Sequence, residues 1–325
     1  MPQPISEFDE TAYLECNPDV AHAVQIGKIQ SGLEHWNKWG KQEKRALNSF
    51  NTKKYKVFHA LNKQGVGLEI GPSHNPVAPK KEGYKVHIVD HANAQTLRKK
   101  YESHGFLGVN IENIEDVDFV WEGQPLPELI GQTQYYDWII ASHVIEHVPD
   151  LISFLQQCSA LLKPQGVISL VIPDKRYCFD YFNPLTTTGE LLDAFHQKRK
   201  RPSLGKIFDH VANACARDGA IAWSKESQGA LTLMHSFEQA KDAWRSAQNT
   251  PDYVDVHCWR FTPSSFAMNI QDLQQLQLLD LRYKLSFDTS GCEFYVSLEK
   301  EPPEGRTAAK TRLELHQAIC KEVAN

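Results

Sequence analysis

The stretch Val66-Gly67-Leu68-Glu69-Ile70-Gly71-Pro72-Ser73-His74-Asn75-Pro76 decides how the chain is read. An apolar run closes on a carboxylate, then a glycine, then a polar loop holding two prolines. Continuous apolar runs bounded by turn residues form strands buried on both faces. Gly71 removes Cβ where the chain must turn sharply and lie close to a ligand. Asn75 and Pro76 prevent an immediate helix, so a broad turn is expected.

Working outward, Lys85-Val86-His87-Ile88-Val89-Asp90 is a second apolar run ending in an acid. Asp90 follows Glu69 at roughly the 20-residue distance that one βαβ half puts between a phosphate-side turn and a ribose-binding carboxylate. A ribose presents two vicinal hydroxyls, and a carboxylate accepts from both. The dinucleotide pattern G-x-G-x-x-G is absent, because Pro72, Ser73 and His74 follow Gly71 and the next glycine is Gly83. Without close-approach glycines a pyrophosphate has poor access to the backbone. A cofactor with a ribose but no phosphate, such as S-adenosylmethionine, fits better.

The chain has 325 residues, 41% of them hydrophobic and 23% charged, which is ordinary for a globular protein. A net charge of -5 provides no global attraction to nucleic acid or anionic membrane. No apolar run reaches spanning length, and the first residues resemble no signal peptide. Seven scattered cysteines without a C-x-x-C pair suit reduced thiols in a cytoplasmic setting.

Three regions are expected. Residues 1–48 form a small helical module, with a helix start at Asn17-Pro18 and a second helix from Ser31 to Trp39 stopped by Gly40. Residues 55–300 alternate strand and helix, with further strands at 117–122, 137–141 and 167–172 and helices at 92–104 and 150–162. That rhythm implies a doubly wound parallel sheet. It breaks at 178–255, a polar and aromatic section expected to cap the substrate side, with helices near 190–197 and 236–247. Within it, Lys198-Arg199-Lys200-Arg201 reads as a solvated basic face or a contact for an anionic group. Thr262 and Pro263 start a helix, and strands at 279–287 and 293–298 make a hairpin. Residues 301–325 form a charged helical tail.

The motifs together resemble class I S-adenosylmethionine-dependent methyltransferases of the type 11 kind. They are Leu68-Glu69-Ile70-Gly71, Ile88-Val89-Asp90, Asp137-Trp138-Ile139-Ile140-Ala141-Ser142-His143-Val144-Ile145-Glu146-His147-Val148-Pro149-Asp150, and Leu161-Leu162-Lys163-Pro164-Gln165-Gly166. The resemblance implies a Rossmann-like α/β fold with seven strands and an antiparallel last hairpin. It also implies S-adenosylmethionine contacts from Glu69, Gly71, Asp90, Glu122, Ala141, Ser142 and His143. Ser73 stands where that family often has a second glycine, so Ser73 and His74 meet the methionine end differently. The pattern Tyr13-Leu14, Asn17-Pro18-Asp19-Val20, Leu33-Glu34-His35-Trp36 and Trp39-Gly40-Lys41 resembles a short module of bacterial glycan-related proteins.

Methyl transfer to oxygen benefits from a base near neutral pKa, and His143 and His257 are the two candidates. Asp174, Lys175, Arg176, Tyr177 and Trp259 are candidate acceptor contacts, the cations suiting a phosphate or carboxylate. His143-Val144-Ile145-Glu146-His147 also matches H-x-x-E-H, the inverted zinc-peptidase motif, whose function would be metal-dependent hydrolysis. That motif belongs inside a long helix, whereas here it directly follows a buried strand. No metal ligand is therefore assigned, although a supporting ion stays open. The expectation is O-methylation of a sugar in a glycan or its precursor, with a small metabolite as the alternative acceptor, no nucleic acid partner and no membrane span.

Overall fold

The computed structural model describes residues 8, 10–45, 52–104, 109–300 and 310–324. The chain divides into two compact units, residues 1–59 and 60–325.

In the first unit, α1 (Glu10–Cys16) and α2 (Pro18–Gln25) meet at Asn17, with Pro18 in the first turn of α2. Ser31 caps α3 (Gly32–His35) by accepting from Glu34 N. The expected helix to Trp39 continues as a π-helical turn, Trp36–Gly40. Gly40 does not end it through a left-handed residue. A Cβ there would lie 2.3 Å from Tyr13 Oη, so close packing selects the glycine. Tyr13 Oη in turn pairs with His35 Nδ1 at 2.9 Å. The helix α4 (Lys53–Phe58) ends the unit.

The second unit is built on a seven-stranded sheet. Its strands are β1 (Gly67–Ile70), β2 (Val86–Asp90), β3 (Phe119–Val120), β4 (Tyr136–Ser142), β5 (Leu162–Pro173), β8 (Leu281–Ser290) and β9 (Glu293–Lys300). The order is β3-β2-β1-β4-β5-β9-β8. β1 to β5 pair in parallel, and β9 runs antiparallel to β5 and β8. This is the doubly wound sheet with a reversed terminal hairpin that the sequence predicts. The apolar runs are explained by burial on both faces: every residue of β1, and Trp138 to Ala141 of β4, is buried.

The helices on this sheet are α5 (Ala94–His104), α6 (Leu126–Ile130), α7 (Leu151–Leu161), α8 (Thr188–His196) and α11 (Pro263–Gln275). Asp150 caps α7, and Thr187 and Thr262 form reciprocal capping boxes for α8 and α11. Between β5 and α11 lies the cap section. It adds α9 (Leu204–Asn213), α10 (Phe237–Gln248) and a small antiparallel pair, β6 (Cys215–Arg217) with β7 (Leu231–Leu233). In the expected tail, α12 (Arg312–Ala324) is a helix, and residues 301–309 lie outside the described set. Glu322 of α12 accepts from Ser264 Oγ at 2.7 Å near the start of α11. Among the described residues, no helix is long and apolar enough to cross a membrane.

Candidate active site

The site is assembled at the carboxyl ends of β1, β2 and β4, where doubly wound sheets bind ligands. Gly71 has φ +66 directly after β1. A Cβ there would meet Val144 Cγ2 at 2.9 Å, so the glycine lets the loop after β1 lie against the turn after β4. Glu69 is buried, and its two oxygens accept from Val77 N at 2.7 Å and Ala78 N at 3.0 Å. It therefore shapes the loop by tying its far end back to the strand.

Asp90 is 2% exposed. Its Oδ2 accepts from Ser73 N at 2.9 Å and its Oδ1 from His91 N at 2.8 Å. Ser73 adopts φ +49, and its hydroxyl pairs with Tyr101 Oη at 2.7 Å. His74 packs edge-on to the Tyr101 ring, and its buried Nδ1 has no hydrogen-bond partner. Burial holds the His74 pKa below the usual histidine value, so the ring is a neutral donor or acceptor. A glycine cradle, a ribose-type carboxylate and an unpaired imidazole nitrogen fit S-adenosylmethionine. Glu122 is exposed on the loop past β3, its N–H donating to Gln124 Oε1 at 2.7 Å.

Ala141 and Ser142 end β4, and His143 follows with φ +55, a left-handed residue that turns the chain. The H-x-x-E-H stretch is not helical. It is a pair of turns in which His147 N donates to Val144 O and Val148 N to Ile145 O. That geometry is unlike a peptidase helix and removes the basis for the hydrolase reading. His143 Nε2 lies 2.6 Å from Glu293 Oε2, and its Nδ1 lies 3.5 Å from Glu146 Oε1. Burial opposes charge on this ring, but the two carboxylates outweigh it and raise its pKa to about 9.

Residues 256–259 run beside this turn, with Cys258 N donating to Glu146 O at 2.6 Å. His257 Nδ1 lies 2.5 Å from Asp180 Oδ2, while Arg260 Nε and Asn183 Nδ2 both donate to Asp180 Oδ1 at 3.0 Å. Burial would raise the Asp180 pKa, but His257 and Arg260 hold it well below the usual carboxylate range. Asp180 thus holds the His257 ring in place through Nδ1. His147 and His257 pack edge to face at 4.7 Å. His147 Nδ1 stands 2.7 Å from Asp255 Oδ1, without hydrogen-bond alignment. His210 Nδ1 accepts from His257 N at 3.2 Å, and burial pushes its pKa down to about 4. Glu146, His147 and His257 together offer ligand atoms within 4.8 Å of one another, a set able to hold a metal.

The other acceptor candidates have structural partners. Asp174 accepts from Arg176 Nε at 2.9 Å, Arg176 Nη2 at 2.6 Å and Thr289 Oγ1 at 2.6 Å. Arg176 also reaches Glu322 O at 3.0 Å and stacks on Tyr177. The Lys175 ammonium donates to Tyr181 O at 2.7 Å, and burial lowers its pKa. Trp259 lies in the core, donating from Nε1 to Val148 O at 2.6 Å. A cleft of about 690 Å³ is lined by Trp121, Val148, Phe154, Phe195, Lys198, Arg199 and Lys200, among others. Arg201 is not part of it; its guanidinium caps α10 at Ala247 O and Thr250 O.

Sequence reasoning proposed His257 without its partners. Asp180, Asn183 and Arg260 become part of the site only through folding, because 77 residues separate Asp180 from His257. No local pattern signals that pairing.

Comparisons with known proteins identify the family. The model of a methyltransferase domain family matches residues 42–267. A ubiquinone biosynthesis O-methyltransferase from Actinobacillus pleuropneumoniae serotype 5b (strain L20) is 34% identical over 74 residues, 23% of this chain and 29% of that protein. The matched stretch is thus under a third of that relative's length. Among solved structures, a Burkholderia thailandensis 1,6-didemethyltoxoflavin-N1-methyltransferase with S-adenosylhomocysteine bound is 12% identical. The alignment covers 93% of this chain and 94% of that one at a TM-score of 0.40. A S-adenosylmethionine-dependent methyltransferase from Methanosarcina mazei is 14% identical over 75% of this chain and 96% of that one, at a TM-score of 0.39. With well over half its length matched by the family model, the chain belongs to the methyltransferase domain family and is an S-adenosylmethionine-dependent methyltransferase.

Proposed function

We propose that the protein methylates a hydroxyl oxygen, with a sugar in a glycan or a nucleotide-linked precursor as the acceptor. The observation that carries the oxygen assignment is His257, whose Nδ1 is held by the buried Asp180 while Nε2 is left to take a proton. S-adenosylmethionine supplies a methyl group on a sulfonium that departs as a neutral thioether. The protein's share is alignment, exclusion of water and removal of the hydroxyl proton. His143 is less suited to that removal, because both its nitrogens face carboxylates.

The sugar reading is supported by the cap. Tyr181 and Phe182 stay exposed beside Trp223, offering faces on which a sugar ring stacks. The cleft with Trp121, Phe154 and Phe195 beside Lys198, Arg199 and Lys200 combines aromatic and cationic surface, which suits a nucleotide-linked sugar. The resemblance of residues 13–41 to a glycan-associated module points the same way. A small-metabolite hydroxyl is the second reading.

The test is mass spectrometry of surface-glycan precursors incubated with isotope-labelled S-adenosylmethionine. Label on a sugar oxygen is expected, and His257→Ala should abolish transfer while S-adenosylmethionine binding persists. Label on nitrogen or carbon would overturn the oxygen assignment.

A further inference from the structure

We infer that Glu146, His147 and His257 form a site for one divalent first-row transition-metal ion, a cation that the sequence does not assign. The inference rests on the acceptor reading only for what the ion does, not for whether it binds.

The first observation is Glu146 itself. It is 1% exposed, and neither carboxylate oxygen has a hydrogen-bond partner. A buried carboxylate left in that state is costly unless a cation completes it. His143, at 3.5 Å from one oxygen, is too distant for a short charge-assisted bond and is already engaged at 2.6 Å by Glu293. The second observation is convergence. One ligand atom from each of Glu146, His147 and His257 lies within 4.8 Å of the others. Ligands at ~2.0–2.2 Å from a shared tetrahedral ion stand about 3.3–3.6 Å apart, so inward side-chain shifts of about 1 Å or less close the set.

The third observation is the shell around the rings. Asp180 holds Nδ1 of His257 at 2.5 Å and Asp255 lies 2.7 Å from Nδ1 of His147. A carboxylate hydrogen-bonded behind an imidazole orients it as a metal ligand and raises its basicity, which Asp180 does for His257. Two imidazoles with one carboxylate favour manganese, iron, cobalt or zinc over magnesium or calcium, which take oxygen ligands. Three protein ligands also leave coordination positions for an incoming hydroxyl. There the ion would replace His257 as the activator: the O–H bond breaks with its proton passing to water, and the O–CH₃ bond forms as the S–CH₃ bond breaks. His257 cannot serve as base and ligand at once, so the two roles alternate between loaded and metal-free protein.

The experiment uses the full chain, stripped with a chelator and titrated with Mn²⁺ by calorimetry and electron paramagnetic resonance, with Zn²⁺ and Mg²⁺ in parallel. One Mn²⁺ per chain with micromolar affinity is expected, and at least tenfold weaker Mg²⁺ binding. Glu146→Gln keeps the shape of the side chain and should weaken Mn²⁺ binding at least 100-fold; His257→Ala should do likewise. Glu146→Gln should also raise the melting temperature of metal-free protein while abolishing the rise that Mn²⁺ produces in the unaltered chain. Absence of stoichiometric binding at millimolar Mn²⁺ and Zn²⁺ would overturn the site, as would binding indifferent to both substitutions. Tight Mn²⁺ binding with no oxygen methylation would leave the site standing and remove the acceptor reading. Oxygen methylation by stripped protein that binds no metal would do the reverse.

Discussion

Asp90 carries two hydrogen bonds from backbone N–H groups, one on each oxygen, so it is already fixed in direction before a ribose arrives. Oδ1 also lies 2.7 Å from His91 Nδ1, and the lone pairs that remain on the two oxygens can accept from ribose hydroxyls. Asp90→Ala is therefore expected to weaken S-adenosylmethionine binding more than tenfold, about 1.4 kcal/mol or more, in isothermal titration. Unchanged affinity would take Asp90 out of the site. Asp180 behaves differently, because it is buried between His257 and Arg260. Arg260 Nη2 is already unpaired, so Asp180→Ala leaves a buried guanidinium without compensation. A loss of about 3–5 kcal/mol in unfolding free energy is expected from urea titration. A loss below 1 kcal/mol would mean that water reaches Arg260.

At the scale of elements, β1 and β4 are joined by Asp137 as well as by the sheet ladder. Its Oδ2 accepts from Val66 N at 2.8 Å and from Lys163 Nζ at 2.9 Å. Burial would raise its pKa, but those donors outweigh burial and lower it. A carboxylate with a lowered folded value stabilises the fold above its unfolded value, ~3.9, and loses that contribution as pH falls through the folded value. Asp137→Asn should cost about 1–2 kcal/mol at pH 7, and the cost should shrink below pH 4. Urea unfolding across that range checks it; a cost independent of pH would show that the charge is not involved. Much of this sheet was legible because buried parallel strands are apolar throughout and end at acids. The edge strand was not: residues 117–122 were expected, yet β3 covers Phe119–Val120 and pairs with β2 alone. The helix α9 was missed as well. Its inward residue Ile207 packs with Ala247 and Val256, which only the folded cap brings near. The loop after β1 could be placed because Glu69 stands next to the end of β1 and Asp90 ends β2, while the Asp180–His257 pair lies across the cap and has no local pattern.

At the scale of the molecule, the residues placed in the site all belong to the second unit, residues 60–325. That unit contains the whole seven-stranded sheet and its main core, so it has the apolar burial needed to fold by itself. A chain of residues 60–325 is expected to unfold in one transition and to bind S-adenosylmethionine within about twofold of the full chain, a change of roughly 0.4 kcal/mol. Loss of binding would mean that the first unit contributes to the cofactor site. The acceptor assay separates the remaining possibilities. If the first unit serves glycan recognition, the shortened chain should act poorly on a native glycan while retaining transfer to a small sugar precursor. If it instead methylates a plain small metabolite well and sugars not at all, the sugar assignment fails, and the exposed Tyr181 and Phe182 are faces for a different acceptor.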